Sequence, residues 1–435
     1  MRQRAGRKNP HDEKMSQAAG RLLIKNASEL VTCRGKAPKI GTAMADIGVI
    51  LNGAVFVEGG RIQLTGTTAE VLRAVDEKTC QTIDATGRCV MPGFVDPHTH
   101  FLFAGYRAEE FSWRLRGDTY MQIMERGGGI INSVQATREA SRDELKGVGR
   151  KRLDSMLSFG VTTVEGKSGY GLNSETEIKQ LEVMAELNEQ HPVDIVRTFM
   201  GAHTVPREYK ERSDDFVDIV VNEMLPAVAE AKLAEFCDVF CEKGVFSVEQ
   251  SRRILSSAQA LGMQAKIHAD EIVPLGGAEL AAEVGAISAE HLLHASDEGI
   301  RAMAAAGVTA VLLPATAFSL KEAYARARFM IDQGVPVALA TDFNPGSCFT
   351  ESIPLVIALA ALYMQMSPAE IVSALTINAA AALGRADRIG SLEPGKEADV
   401  IILEHPSHLF LPYHLGVSIV EMVIKKGQVV WRKNG

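Results

Sequence analysis

Two histidines one residue apart, His98 and His100, end the segment that runs from Pro92 through Gly93, Phe94, Val95, Asp96 and Pro97. The apolar residues before them, Cys89, Val90, Met91, Phe94 and Val95, read as a buried strand. Alternate residues of a strand point the same way, so the two imidazoles can grip one cation. A His-x-His pair beside buried hydrophobics is hard to justify without a ligand. A catalytic zinc-type centre needs three or four nitrogen or oxygen ligands and one position left for water. The remaining ligands must therefore come from farther along the chain.

Stepping along the chain from His100, strand-like runs alternate with helical stretches. The strands are read at 161–165, 194–203, 237–243, 263–268, 286–291, 308–314 and 336–342, which with the one ending at His100 makes eight. Between them 174–190, 247–261 and 296–306 carry helical spacing, several opened by a serine cap. This order predicts an α/β fold, a (β/α)8 TIM-type barrel over 91–384. His98, His100, Glu165, His203, His268, His291 and Asp342 then fall at or just past strand ends, on the face where barrel chemistry is built.

Outside the barrel, residues 20–90 and 385–435 contain short β-like runs and turns, such as 53–62, 398–403, 421–424 and 428–431. They predict a small composite β-sandwich built from both chain ends. Residues 1–19 read as a disordered extension: Arg2, Arg4, Arg7, Lys8 and Lys14 are not followed by the apolar stretch of a secretory signal, and Met15 offers a second start. Gly127, Gly128 and Gly129 mark a mobile barrel loop, without the strand-turn-helix context of a nucleotide-binding loop.

The composition fits a sizeable enzyme. The chain has 435 residues, 46% of them hydrophobic, and a net charge of -8, which argues against a general nucleic-acid binder. No apolar run approaches the roughly 20 residues needed to span a bilayer. Six scattered cysteines without a Cys-x-x-Cys pair read as reduced thiols in a cytoplasmic protein.

Pro92 to His100 together with Gly390 to Asp399 resembles the two hallmarks of the amidohydrolase superfamily. Within it, further segments are similar to the imidazolonepropionase family: 105–111, 119–124 with 127–130, 165–172, 201–203, 240–246 and 342–346. The resemblance runs from about residue 20 to the end, and the segments Lys167 to Gly171 and Phe240 to Phe246 narrow it most. It implies one zinc or iron ion per chain, bound by His98, His100, His268 and Asp342. Three neutral imidazoles and one carboxylate suit a cation that lowers the pKa of water to roughly 7.

The resemblance also implies Glu271, His291 and Asp342 as catalytic groups, although by spacing alone Asp270 competes with Glu271. The implied substrate is 4-imidazolone-5-propanoate, opened to N-formimidoyl-L-glutamate. Arg107, Tyr170, His203, Glu271, Asn344, Gly346 and Ser347 are the implied substrate-side residues. Arg107 suits a bidentate clamp on the propanoate, and Gly346 lets backbone approach closely. Ser347 stands where some relatives are expected to carry Thr. A homodimer is expected. The competing readings are a deaminase of a nucleobase or related ring, a two-metal cyclic-amide hydrolase with a carbamylated Lys243, a non-catalytic scaffold, and, for Arg107, a solvated cation paired with Glu109 or Glu110.

Overall fold

The computed structural model describes residues 20–118, 122, 126 and 128–433. The extension expected over 1–19, most of the 119–124 motif and Gly127 lie outside the described residues. Five strands come first: β1 (Arg21–Val31), β2 (Val49–Glu58), β3 (Arg61–Thr67), β4 (Gln81–Asp84) and β5 (Cys89–Pro92). The barrel strands follow as β6 (Phe94–Asp96), β7 (Val161–Lys167), β8 (Asp194–Ala202), β9 (Phe236–Cys241), β10 (Gln264–Ala269), β11 (Ser288–His291), β12 (Thr309–Leu312) and β13 (Val337–Leu339). The chain ends with β14 (Val400–Leu403), β15 (Val420–Lys425) and β16 (Gln428–Arg432).

Strands β6 to β13 form one eight-stranded sheet in sequence order, with every pairing parallel. Each residue of β7 is buried, as expected for parallel strands covered on both faces. Several of the helices that cover them start where the sequence supplies a side-chain cap. Ser247 and Ser296 accept from Gln250 and Gly299 backbone N–H groups. Helix Ser174–Gln190 is capped by Asn173 rather than by a serine, since an amide oxygen satisfies an orphan N–H equally well.

Between β13 and β6 the ring closes just past the strands. Asp342 N–H donates to His98 O at 3.1 Å and His100 N–H to Phe343 O at 3.0 Å. The closing hydrogen bonds therefore run through three of the expected site residues.

The outer strands from both ends share a second eight-stranded sheet, ordered β16-β15-β14-β5-β1-β2-β3 with β4 beside β1. It curls over its own core of Leu22, Ile24, Val55, Val57, Val400 and Ile424. Ile62 N–H reaches Lys396 O, and Ala398 N–H reaches Gly60 O, each at 2.9 Å, so the β2–β3 turn comes back onto the segment entering β14. The alternate residues Leu23 and Phe56 face outward, with Val71 of helix Thr68–Ala74 packed on them.

Gly93 joins the two units. A Cβ there would sit 2.4 Å from Thr162 Cγ2, so a side chain would push β6 off β7. At the far end Lys425 Nζ lies 2.6 Å from Asp399 and 2.8 Å from Asp194, the first residue of β8. Among the described residues no helix is long and apolar enough to cross a membrane.

Candidate metal centre and active site

Side chains from β6, β10, β11, β13 and the turns after them gather around His98: ligand atoms of His98, His100 and Asp342 lie within 4.8 Å of one another, as do those of His98, His268 and His291. His268 Nε2 and His100 Nε2 are 3.3 Å apart. Asp342 Oδ1 lies 3.4 Å from His98 Nε2 and 3.9 Å from His100 Nε2. The side chains of His98, His100, His268 and Asp342 are buried, and His98 Nε2 has no hydrogen-bond partner. Ligand bonds of about 2.1 Å in a tetrahedron put neighbouring ligand atoms about 3.4 Å apart, close to these separations. An orphaned buried nitrogen beside facing imidazole nitrogens costs free energy unless a cation stands among them. The residues fit a metal ion.

The far sides of two of these rings are tied down. His98 Nδ1 lies 3.0 Å from Glu290 Oε2, and His268 Nδ1 lies 3.0 Å from Asp238 Oδ1. A carboxylate oxygen can only accept, so each Nδ1 carries the proton and each Nε2 keeps its lone pair. Thr316 donates to Asp342 Oδ2 at 2.6 Å, leaving Oδ1 for the centre. Burial is the first cause holding His98, His100, His268 and His291 below the ordinary imidazole range. Neutral imidazoles are what a metal requires.

A cavity of about 530 Å³ opens above the cluster, a size suited to a small ligand. Arg107, Tyr170, His203, Glu271, His291, Asn344, Gly346 and Ser347 line it together with His100, His268 and Asp342. Of the expected metal, catalytic and substrate-side residues only His98 lies wholly beneath, with no exposed surface. Arg107 is paired with Glu110, Nε to Oε2 at 2.8 Å, yet neither side chain is solvated; they are 17% and 8% exposed. Glu110 also accepts from Gly129 N–H at 3.0 Å and Asn132 Nδ2 at 2.9 Å. The guanidinium Nη groups lie against Gly346, where a Cβ would come within 2.1 Å of Nη1.

His203 stacks on His100, with ring centroids 4.8 Å apart and planes 13° apart. Its Nδ1 donates to Gly169 O at 3.0 Å, and burial pulls its pKa down to about 3, so Nε2 is an acceptor. Asn344 is spent locally. Its Nδ2 donates to Asp342 O and Ser347 Oγ, both at 2.8 Å, while Oδ1 accepts from Gly346 and Ser347 N–H groups. It shapes the turn that presents Gly346.

Glu271 and His291 sit side by side, Oε1 to Nδ1 at 3.6 Å. Burial first, and then the charges of Asp342 and Glu242, raise Glu271 to about 8. At neutral pH one therefore carries a proton while the other has a free nitrogen, the division seen where an acid and a base share a site. His291 and Asp342 hold left-handed backbone, φ 69° and 50°, a strained conformation that concentrates at functional sites. Asp270, the competitor of Glu271, is turned away: Oδ1 accepts from Leu275, Gly276 and Gly277, and Oδ2 from Ala278.

The sequence reading missed the layer beneath. Glu165 is not at a strand end; it lies two residues before Lys167, the last residue of β7, fully buried in the barrel interior with Lys167, Asp238, Lys266 and Glu290. The available signal was spacing. Glu165 with Lys167, and Lys266 with His268, are i, i+2 pairs, which share one face of a strand. Arg114, a second cation on the cavity wall, was missed as well.

This geometry can be set beside known proteins. A family model described as "Amidohydrolase family" matches residues 89–430. The chain belongs to this family. An imidazolonepropionase from Clostridium tetani is 61% identical over 95% of this chain and 99% of its own length. Another from Parabacteroides distasonis is 58% identical over 94% and 98%. Among solved structures, atrazine chlorohydrolase from Arthrobacter aurescens complexed with zinc aligns with TM-score 0.72 at 19% identity, covering 94% of this chain and 95% of that one. An adenosine deaminase from Xanthomonas campestris with bound zinc aligns with TM-score 0.69 at 20% identity, over 94% and 92%. At such identities the structural likeness speaks for the barrel fold alone, whereas the relatives above 50% identity place the chain among the imidazolonepropionases of the family.

Proposed function

We propose that the chain hydrolyses the ring amide C–N bond of 4-imidazolone-5-propanoate, giving N-formimidoyl-L-glutamate in histidine degradation. The observation that carries this reading is Arg107 on the wall of the same cavity as the convergent histidines and Asp342. A ring seated at the centre with a short carboxylate tail needs such a cation, and an uncharged nucleobase does not. The imidazolonepropionase relatives support the same substrate.

In this reading His98, His100, His268 and Asp342 hold one zinc or iron ion, since imidazole and carboxylate suit both. When bound, the ion supplies Lewis acidity, lowering the pKa of water to roughly 7 and polarising a carbonyl oxygen. Arg107 binds the propanoate with its Nη groups while Nε stays on Glu110. His203 Nε2 accepts from a ring N–H, and Tyr170 donates its phenolic O–H. Neutral His291 takes the proton of the attacking water, and protonated Glu271 delivers one to the departing ring nitrogen. Ser347 and Asn344 keep Gly346 in place beside the product carboxylate.

A cytoplasmic homodimer completes the reading. Six free cysteines agree with a reducing compartment, and exposed Leu362, Tyr363, Tyr413 and Leu415 offer apolar surface to a second copy. Comparing kcat/KM on imidazolonepropanoate, cytosine, guanine and dihydroorotate tests the substrate. Preference for the first is expected; a preference for an uncharged ring overturns the assignment.

A further inference from the structure

Barrel interiors are ordinarily filled by branched apolar side chains. Here the layer below the centre holds three carboxylates and two ammonium groups with no exposed surface: Glu165, Asp238, Glu290, Lys167 and Lys266. Buried ion pairs are seldom more stabilising than apolar side chains of the same volume, so stability alone does not account for them. Their wiring does more. Lys167 Nζ lies 2.6 Å from Asp238 Oδ2, 3.0 Å from Glu290 Oε2 and 3.0 Å from Glu165 Oε2. Glu290 Oε2 is the same atom that meets His98 Nδ1, and the other oxygen of Asp238 meets His268 Nδ1.

The two lysines are not equivalent. Lys266 Nζ reaches Glu165 Oε1 at 2.9 Å, Pro97 O at 3.3 Å and Glu290 Oε1 at 3.4 Å. None of those oxygens touches an imidazole. Lys266 does touch Glu290, but only through its Oε1 at 3.4 Å, whereas Lys167 holds the Oε2 that meets His98 Nδ1 and also holds Asp238, the acceptor of His268 Nδ1. His98 and His268 come from strands with no hydrogen bonds between them. An imidazole whose Nδ1–H has a fixed acceptor has one ring orientation; one whose acceptor is loose can flip and turn Nδ1 inward. Without the ammonium between them, Asp238 and Glu290 would also repel each other across the layer.

We infer that Lys167 is a positioning residue for the metal centre: by clamping Asp238 and Glu290 it aims the Nε2 atoms of His98 and His268 at one point. The inference rests on the reading of those two histidines as metal ligands. It predicts that metal affinity follows the wiring rather than the amount of buried charge.

The test uses purified full-length wild type, Lys167→Met and Lys266→Met, each titrated with Co2+ against a chromophoric chelator, with the visible spectrum of the bound Co2+ recorded and folding checked by circular dichroism. Wild type should bind Co2+, Lys167→Met should bind it about 10- to 100-fold more weakly with altered visible bands, and Lys266→Met should keep wild-type affinity and spectrum. If Lys167→Met does not fold, Glu290→Gln and Asp238→Asn carry the comparison and should show the same loss and spectral change. Wild-type affinity and spectrum in Lys167→Met, or in both carboxamide variants, overturn the inference, as does an equal loss in Lys266→Met. A wild type that binds no Co2+ overturns the metal-ligand reading itself, an outcome distinct from the others.

Discussion

A methyl group on Gly346 would sit 2.1 Å from Nη1 of Arg107. Because Glu110 anchors Nε of the same side chain, the guanidinium cannot simply swing aside. Gly346→Ala should therefore raise KM roughly tenfold, about 1.4 kcal/mol, with metal content unchanged. Arg107→Met removes the cation outright and should lower kcat/KM by about 30-fold to several thousand-fold, the cost of stripping one partner from a desolvated ion pair. Steady-state kinetics on imidazolonepropanoate check both, and an unaltered kcat/KM in Arg107→Met would sink the substrate assignment.

Elemental analysis of the purified protein should find about one metal per chain. His268→Ala should lose the metal and the activity while circular dichroism stays native, since the ligand lies at the rim end of β10. A reproducible stoichiometry near two, with a carbamate on Lys243, would favour a dinuclear centre instead.

Glu271→Gln keeps the shape of the side chain and removes its proton, so kcat should fall by roughly 10² to 10⁴ with metal retained. His291→Ala should behave alike. Near-native turnover in both would assign proton transfer elsewhere.

The raised pKa of Glu271 has a signature in the metal-free protein. An ordinary Glu titrates near 4.3, and here the folded value is about 8, so between the two the native state binds more protons than the unfolded chain. Stability then declines as pH rises from about 4.3 to 8, and levels off above. Glu271→Gln lacks this slope. Urea unfolding of the metal-free proteins should show the variant gaining on wild type across that window by a few kcal/mol, at about 1.36 kcal/mol per unit, and matching it at pH 4.

Lys425 stands between Asp399 and Asp194 with only 4% of its side chain exposed. Lys425→Met strips the buried Asp399 of its cation at the junction of sheet and barrel, while Asp194 keeps Lys426 at 2.9 Å, and should cost about 3 to 5 kcal/mol by denaturant unfolding. Turnover per folded molecule should be unaltered, as the junction is remote from the cavity lining.

The barrel and the upper site were legible because each signal was local. A His-x-His pair at a strand end, helices capped at Ser247 and Ser296, and single histidines at the ends of β8, β10 and β11 can be read along the chain. Helix 174–190 was placed to the residue. Glu290 was not legible, because its partner His98 is far away in sequence and the two meet only once the barrel has formed. The same holds for Lys167 with Asp238 and Glu290: nothing in β7 alone distinguishes a buried lysine from a solvated one. Asp270 and Glu271 were inseparable by spacing, and only the N–H groups of 275–278 show which carboxylate is consumed by the helix start.

The strand just before the one that delivers His98, β5, is flanked by β14, where Pro92 pairs with Val400. On a ribosome β5 emerges early and waits for that neighbour until nearly the whole chain has been made. Asp342, whose N–H closes the ring onto His98, is also late. Vectorial synthesis thus delays assembly of the centre, and a nascent chain halted before residue 342 would present His98 and His100 to solvent metal without the carboxylate that completes the set.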